Sequence, residues 1–240
     1  GKILGWTIVW AFFATFTNYI GGMVLALLIN KKGIKFKGLW RTLFVITIAV
    51  PNFVTLLVMN QLLADQGTLN LTLKDWGLIS DSIPFLSDAN YARVVVILVN
   101  MWIGVPYTML STSGILMNIP EDLYESAKID GANAFQTFMK ITLPYMLFVT
   151  TPYLISSFVG NINNFNVIYL LTGGEPKSTD YYSGAGKTDL LVTWLYKLTA
   201  NNKDYNLAAV IGIIIFVICA IASLITYNMS KSAKDEEAFG

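Results

Sequence analysis

The sequence predicts an all-α polytopic membrane protein, and three observations support this fold class. The 240 residues are 55% hydrophobic and only 13% charged, with a mean hydropathy of +0.57. A soluble domain carries about a quarter charged residues, so a single large water-soluble core is excluded. Long apolar runs recur along the chain, and one polar amphipathic segment separates two of them.

About five helices are predicted to span the membrane. A helix needs roughly 20 mainly apolar residues to cross about 30 Å of hydrocarbon. None of the five segments contains a charged side chain. Their glycines and prolines are tolerated in membrane helices when neighbouring groups satisfy the freed backbone. The predicted spans are residues 3–29, 42–63, 94–117, 143–171 and 206–229.

The charges of the connecting segments predict the orientation of these spans. Residues 30–41 contain five Lys or Arg and no acid, which places them in the cytoplasm by the positive-inside rule. Residues 64–91 contain four Asp and one Lys, and we expect them outside. Alternation then places the polar segment inside, residues 172–205 outside, and the tail from Lys231 inside.

The outer segment 172–205 is predicted to have two parts. Residues 172–186 are rich in turn formers and are expected to be flexible, whereas 188–198 read as a short amphipathic helix. Gly186-Lys187-Thr188 resembles the end of a P-loop, but Tyr181 stands where that motif requires its first glycine, and no strand precedes it. This segment is therefore not predicted to bind a nucleotide.

The polar segment, residues 121–144, is predicted to form a helix, a turn and a second helix outside the bilayer. Pro120 suits a first helical position, and Glu121 and Asp122 suit a first helical turn. Gly131 is placed where the chain turns, because glycine takes a positive φ at little cost. The apolar residues recur at helical spacing at Leu123, Ala127, Ala134, Phe135, Phe138 and Ile141.

The same segment resembles the EAA loop of ABC importer permeases. That pattern is E-A-A, three residues, G, nine residues and I-x-L-P, and Ser126 is the one departure from it here. The alternative, an amphipathic connector on the membrane surface, gives no reason for all these offsets. In the family this loop docks in a groove of the ATP-binding subunit and couples its motion to the membrane helices. The matching positions are Glu125, Ser126, Ala127, Gly131, Ile141, Leu143 and Pro144.

This resemblance implies the architecture and the partners. The fold would be a six-helix, MetI-like permease core with a cytoplasmic coupling helix, in the cytoplasmic membrane of a prokaryote. We expect one transmembrane permease domain over 1–240, lacking one or more N-terminal helices, with a coupling segment at 120–142 and an extracytoplasmic loop at 172–205. The implied partners are a homodimeric subunit that binds ATP and Mg, a second homologous permease, an extracytoplasmic sugar-binding protein and membrane lipid.

Two stripes of polar and small residues run along predicted spans at the spacing of one helix face. Polar groups at bilayer depth must find partners in protein or in a water-filled cavity. Amides and a tyrosine ring suit the hydroxyls and flat faces of a neutral sugar. They also serve as helix-to-helix hydrogen bonds worth about 0.6 kcal/mol each, and the pattern leaves both readings open. The stripes are Asn100, Gly104 and Tyr107, with Ile103 beside them, and Ser157, Asn161 and Asn164.

Much of the chain is also similar to the larger, MalF-type membrane subunits of maltose/maltodextrin importers. The similarity is strongest at 100–107, 163–165, 185–192 and 206–209. It implies a maltose or maltodextrin substrate. Because Gly160 replaces a bulky aromatic residue of that site, another neutral sugar such as a galacto-oligosaccharide remains an alternative. The positions that match the sugar site are Ile103, Gly104, Tyr107, Ser157, Asn161 and Asn164.

The composition argues against several other functions. There is no histidine, and the one cysteine, Cys219, lies in an apolar run, so neither a catalytic site nor a metal site is predicted. The net charge of +1 argues against a nucleic-acid partner. An ion-coupled secondary transporter would require ionisable residues within the spans or inverted halves. A purely structural membrane scaffold is the third alternative.

Overall fold

The computed structural model of the chain describes residues 1–31 and 33–229. Within these ranges the regular structure is helical, with one isolated bridge between Lys177 and Gly186. The predicted cytoplasmic tail from Lys231 lies outside the described residues. The α-helices are α1 Lys2–Asn30, α2 Lys37–Ala49, α3 Asn52–Leu63, α4 Thr68–Asp75, α5 Ala89–Met117, α6 Glu121–Ile129, α7 Ala134–Thr137, α8 Leu143–Ile162, α9 Phe165–Leu171, α10 Leu191–Ala200 and α11 Tyr205–Met229.

Four helical stretches in the described part of the chain are long and apolar enough to cross a membrane: α1, α5, the run Ala134–Ile162 that joins α7 to α8, and α11. A fifth span exists if α2 and the helical stretch after it are counted as one broken span, bent by 88°. The all-α polytopic fold is thereby confirmed.

The prediction of one continuous helix over residues 42–63 is wrong. α2 ends at Ala49 and α3 begins at Asn52, with Val50 in an extended conformation at ψ 125°. Pro51 explains the break, because a proline disfavours helical conformation in the residue before it and cannot donate a backbone hydrogen bond.

The predicted fourth span, 143–171, also has different limits in the structure. Its helix begins earlier, at Ala134, and ends at Ile162. Asn164 then adopts an extended conformation, and its side chain accepts a hydrogen bond from the Val167 N–H at 3.2 Å, which starts α9. Asparagine favours such caps because its side chain replaces the missing helical partner of an N–H group.

α1 is the central helix of the bundle and packs against both α5 and α8. Small residues bring α1 and α5 together: a Cβ built on Gly22 would lie 2.5 Å from Thr108 Cβ and 2.7 Å from the Met109 nitrogen. Trp10 of α1 is fully buried and donates to the Asn161 carbonyl of α8 at 3.0 Å. Close backbone approach at small residues is how membrane helices gain packing energy.

Contacts at the two ends of α1 define the two faces of the bundle. Near its start, Trp6 Nε1 donates to the Thr188 carbonyl at 3.0 Å. Near its end, Asn30 Nδ2 donates to Ser113 Oγ at 3.3 Å. The outer segment therefore lies at one end, and the basic connection and the segment after α5 lie at the other. This arrangement agrees with the predicted alternation of loops.

The part of the outer segment that was expected to be flexible is folded around one buried carboxylate. Asp189 is fully buried and accepts hydrogen bonds from the Gly186 N–H at 2.7 Å and Thr193 Oγ1 at 2.9 Å. Lys197 Nζ lies 2.7 Å from its Oδ2 atom. Because the residues before Leu191 form this turn, α10 begins three residues later than the predicted helix 188–198.

Candidate functional site: a polar elbow and an intramembrane polar seam

The segment after α5 forms the predicted helix, turn and helix. Gly131 has φ +74°, and the Ala132 N–H donates to the Ala127 carbonyl at 2.9 Å across the turn. Asn133 and Gln136 then cap α7 by two reciprocal hydrogen bonds of 2.9 Å. Pro120 precedes α6 rather than occupying its first helical position. We call residues 120–142 the elbow.

The elbow encloses a cleft and exposes apolar side chains. The cleft has a volume of about 460 Å³, and four of the seven EAA positions line it: Ser126, Ala127, Gly131 and Ile141. Glu125 and Pro144 are exposed outside it, and Leu143 is half-buried at the start of α8. Ile129 and Phe135 are 86% and 71% exposed. Large apolar side chains exposed beside polar ones are typical of a protein-protein contact.

A single π-helical turn, Phe138–Thr142, forms the last part of the elbow and leads directly into α8. The Leu143 N–H donates to the Phe138 carbonyl, five residues back. Thr142 is buried, and its hydroxyl lies 3.1 Å from the Tyr124 hydroxyl, which ties the turn to α6. π-turns inside helices are frequent at functional sites, and sequence periodicity gave no signal for this one.

The first polar stripe is divided between two environments. Asn100 is only 6% exposed, whereas Tyr107 is 54% exposed. Gly104 lies against α1, where a Cβ on it would overlap the Asn18 amide. Ile103 is half-buried at the edge of the main core. Gly104 therefore serves close helix packing in this structure, and Tyr107 is the residue of this stripe that faces outward.

The second polar stripe is largely bound within the protein. Asn161 Nδ2 donates to Thr15 Oγ1 of α1 at 3.0 Å, and Asn164 Nδ2 donates to Asn161 Oδ1 at 3.2 Å. Ser157 is half-buried. These contacts bring Asn161 and Asn164 together. They are of the kind expected if the stripe serves structural hydrogen bonds between helices.

The two stripes meet at α1, whose polar residues sequence reasoning missed. Thr15 contacts α8, Asn18 contacts α5, and the Tyr19 hydroxyl lies 2.7 Å from Thr150 Oγ1 of α8. Their i, i+3, i+4 spacing was a readable signal, but it is embedded in an otherwise apolar run. We call Thr15, Asn18 and Tyr19, together with the polar side chains of α5 and α8 that face them, the polar seam.

Three aromatic rings lie just beyond the polar seam. Phe165 and Tyr169 of α9 are stacked with ring centroids 4.6 Å apart, and Tyr196 of α10 approaches them edge-on at 5.0 and 5.1 Å. The three rings therefore form one packed aromatic cluster between α9 and α10.

Within the described residues there is no group of three or more His, Cys, Asp or Glu side chains that could hold a metal ion. The expectation that ATP and Mg bind to a partner subunit stays a prediction.

A family model matches almost the whole chain. The model described as "Binding-protein-dependent transport system inner membrane component" matches residues 3–235.

Relatives named for sugar transport match nearly the whole chain. The galactooligosaccharides transport system permease protein GanP of Bacillus subtilis (strain 168) is 41% identical over 98% of this chain and 56% of its own length. The maltodextrin permease MalC of Streptococcus pneumoniae is 38% identical over 95% of this chain and 54% of its own length. The maltose/maltodextrin permease MalF of Escherichia coli (strain K12) is 36% identical over 97% and 46%. The chain spans about half the length of these relatives.

Solved structures share the fold. A bacterial alginate ABC transporter, in complex with a pentasaccharide-bound periplasmic protein, contains a chain with a TM-score of 0.80 at 21% identity, over 96% of this chain and 78% of that one. A chain of the MetNI methionine ABC transporter gives a TM-score of 0.62 at 16% identity, over 97% and 94%. At these identities the likeness concerns the fold alone.

Proposed function

Because the chain belongs to the family of binding-protein-dependent transport system inner membrane components, we propose that it is a permease subunit of an ATP-driven importer of neutral oligosaccharides. It is a multi-pass protein of the prokaryotic cytoplasmic membrane. In the proposed mechanism it forms half of a translocation pathway that opens alternately to either side. It catalyses no covalent step itself.

The observation that carries this proposal is the elbow. It lies at the same end of the bundle as the basic connection after α1, which the positive-inside rule places in the cytoplasm. Its cleft and its exposed Ile129 and Phe135 offer a docking surface for a soluble partner. A homodimeric ATP-binding subunit on this surface would push the elbow, and the elbow would move α8 through the π-turn.

The substrate class follows from the chemistry of the polar seam. Its side chains are amides, hydroxyls and a tyrosine, and the predicted spans contain no charge. Such groups match a neutral polyol, because they donate and accept hydrogen bonds without requiring a counter-ion. The permeases named for maltodextrin and for galactooligosaccharides are both similar to this chain. We propose maltodextrin as the first substrate to test and galacto-oligosaccharide as the second.

The proposed mechanism requires three further proteins. A solute-binding protein would deliver the sugar to the outer face, where residues 172–190 and α10 cover the bundle. A second, homologous permease would complete the pathway, which accounts for the outward-facing Tyr107. The ATP-binding dimer would hold ATP and Mg and supply the hydrolysis.

The experiment is reconstitution of the chain with its co-expressed neighbours in sealed vesicles. We expect uptake of labelled maltotriose or galactotriose to require ATP and the cognate binding protein. Uptake that is driven by an ion gradient without ATP would instead support a secondary transporter. An assembly in which no sugar stimulates ATP hydrolysis would support a structural scaffold.

A further inference from the structure

Two basic side chains of α2 meet at the end of α1. Arg41 Nη2 donates to Asn30 Oδ1 at 2.7 Å, and Lys37 Nζ donates to the Asn30 carbonyl at 3.1 Å. Asn30 is itself held in place, because its Nδ2 donates to the Ala26 carbonyl at 2.8 Å and to Ser113 Oγ of α5 at 3.3 Å. One residue therefore positions both cations. We call Asn30, Lys37 and Arg41 the basic corner.

The basic corner carries positive charge without a counter-charge from the described residues. Lys37 and Arg41 are both half-buried, and the Nε atom of Arg41 is buried without a hydrogen-bond partner. Neither side chain forms an ion pair with a carboxylate of the described ranges, and residues 30–64 contain no Asp or Glu. Taking charged groups out of water is costly unless a partner replaces the water. The arrangement therefore favours an anion that accepts hydrogen bonds.

The surface of α2 beside the basic corner is apolar. No residue of α2 is buried in the structure, and the side chains of Leu39, Trp40, Leu43 and Ile46 are all exposed. Tryptophan is enriched where a membrane meets water, and basic residues mark the cytoplasmic side. α2 therefore places its two cations at the depth of the lipid headgroups, with apolar side chains directed to the hydrocarbon.

We propose that the basic corner binds the phosphate of an anionic phospholipid in the cytoplasmic leaflet. Arg41 offers the guanidinium N–H groups that Asn30 does not use, in a planar fork that matches phosphate oxygens. Lys37 adds a second charge, and the acyl chains lie along Leu43 and Ile46. A lipid suits this surface better than a soluble phosphate, because apolar side chains adjoin the cations and anionic lipids are concentrated in this leaflet. The site lies apart from the polar seam and goes beyond the proposed function.

The first test measures which lipid lies beside Trp40. The chain, purified with its co-expressed neighbours, is placed in phosphatidylcholine vesicles with increasing fractions of brominated phosphatidylglycerol, which quenches tryptophan fluorescence. The difference between each protein and its Trp40→Phe counterpart isolates Trp40. We expect half-maximal quenching at a severalfold lower fraction of brominated phosphatidylglycerol than of brominated phosphatidylcholine.

Two charge-neutralising variants separate a site from diffuse attraction. Arg41→Gln should raise the half-quenching fraction of brominated phosphatidylglycerol about fivefold, the effect of one basic residue at an anionic surface. Lys35→Gln is the matched control, because it removes the same charge from an exposed residue of the same connection, and it should change that fraction less than about twofold. Equal shifts in the two variants would overturn the site.

A second pair of variants keeps the test decisive if Arg41→Gln fails to assemble. A Cβ on Gly38 would meet no atom within 4 Å, and an acid is favourable in the first turn of a helix. Gly38→Asp places a carboxylate three residues before Arg41, where it can pair with the guanidinium and repel a phosphate. We expect it to raise the half-quenching fraction about fivefold, whereas Gly38→Asn should match wild type. Equal behaviour of Asp and Asn would overturn the site.

Two further outcomes would exclude the lipid. Displacement of the brominated lipid by inorganic phosphate, but not by chloride at the same ionic strength, would identify a soluble anion instead. Equal quenching by the two brominated lipids in wild type would overturn the site as well, and is the result expected if a carboxylate of a companion subunit covers the cations. None of these measurements uses sugar uptake, so the lipid site and the proposed function fail independently.

Discussion

Asn161 and Tyr107 both belong to the predicted sugar site, but the structure gives them different surroundings. Asn161 is buried and hydrogen-bonded to Thr15 and Asn164. Tyr107 is 54% exposed on α5. The first residue is therefore bound to its own chain, whereas the second presents its ring to whatever faces the helix. Their substitutions should consequently fail in different ways.

Replacing Asn161 should damage assembly. Asn161→Leu would leave the Thr15 hydroxyl and the Asn164 amide without their partner, at a cost of about 1–3 kcal/mol for each unsatisfied group. The yield of purified complex should fall, as measured by co-purification with the partner subunits. Normal yield with lost uptake would instead place Asn161 in direct contact with sugar.

Replacing Tyr107 should damage uptake while leaving assembly intact. Tyr107→Ala removes an exposed ring that is free to stack on a sugar, and stacking of this kind contributes about 1 kcal/mol. We expect a five- to tenfold higher KM at unchanged complex yield, with Tyr107→Phe close to wild type if the ring dominates. Wild-type kinetics for Tyr107→Ala would exclude the ring from the site.

At the scale of elements, some boundaries were readable from the sequence and others were not. The spans at 3–29, 94–117 and 206–229 were predicted to within a few residues because a long uncharged run has few alternatives. The break at Pro51 was missed because a proline does not always interrupt a membrane helix. Pro106 and Pro152 lie inside the continuous helices α5 and α8. The end of α8 was missed because Asn164 caps a new helix, a local hydrogen bond that hydropathy does not register.

The buried ion pair of the outer segment should govern the stability of that element. Asp189→Asn leaves Lys197, whose side chain is 15% exposed, without its counter-charge. Breaking a buried pair costs several kcal/mol, and we expect about 3 kcal/mol of lost protection in hydrogen exchange of the α10 amides. Lys187→Ala is the control, because its pair with the 60% exposed Asp180 is open to water and should contribute under about 1 kcal/mol. An equal loss of protection in the two variants would refute the claim that the buried pair stabilises this element.

The π-turn should be the joint through which the elbow moves α8. Deleting Met139, which is 44% exposed, would remove the extra residue and convert the five-residue π-turn into an ordinary α-helical turn, so the joint would be lost. Sugar uptake should be lost while complex assembly and ATP hydrolysis persist. Met139→Ala keeps the residue count and should transport normally. Normal uptake by the deletion variant would show that the π-turn is not needed for coupling.

The turn of the elbow should also be sensitive to substitution. Gly131 has φ +74°, whereas proline is fixed near −65°, so Gly131→Pro cannot adopt the observed turn. We expect this variant, and the charge reversal Glu125→Lys, to insert normally but to hydrolyse ATP without transport. The ratio of sugar imported to ATP hydrolysed measures this coupling, and a wild-type ratio in both variants would argue against the elbow's role.

At the scale of the whole molecule, the bundle links two ends with different chemistry. One end is closed by residues 172–190 and α10, held to α1 and α5 through the Thr188 and Lys187 carbonyls. The opposite end carries the exposed elbow. Sequence reasoning found the elbow because its residue spacing is specific. Sequence reasoning found the polar seam only in part. The seam depends on which α1 residues face α5 and α8, and this is determined by how the helices pack.

The account depends on an elbow that contacts an ATP-binding subunit in the cytoplasm. The most direct measurement is disulfide crosslinking from Ile129→Cys, an 86% exposed elbow position, in a Cys219→Ser background that removes the native thiol. We predict a crosslink to cysteines placed around the docking groove of the co-expressed ATP-binding subunit, and no labelling of the introduced thiol by an impermeant maleimide added outside intact cells. Labelling from outside, with no crosslink at any groove position, would contradict the account.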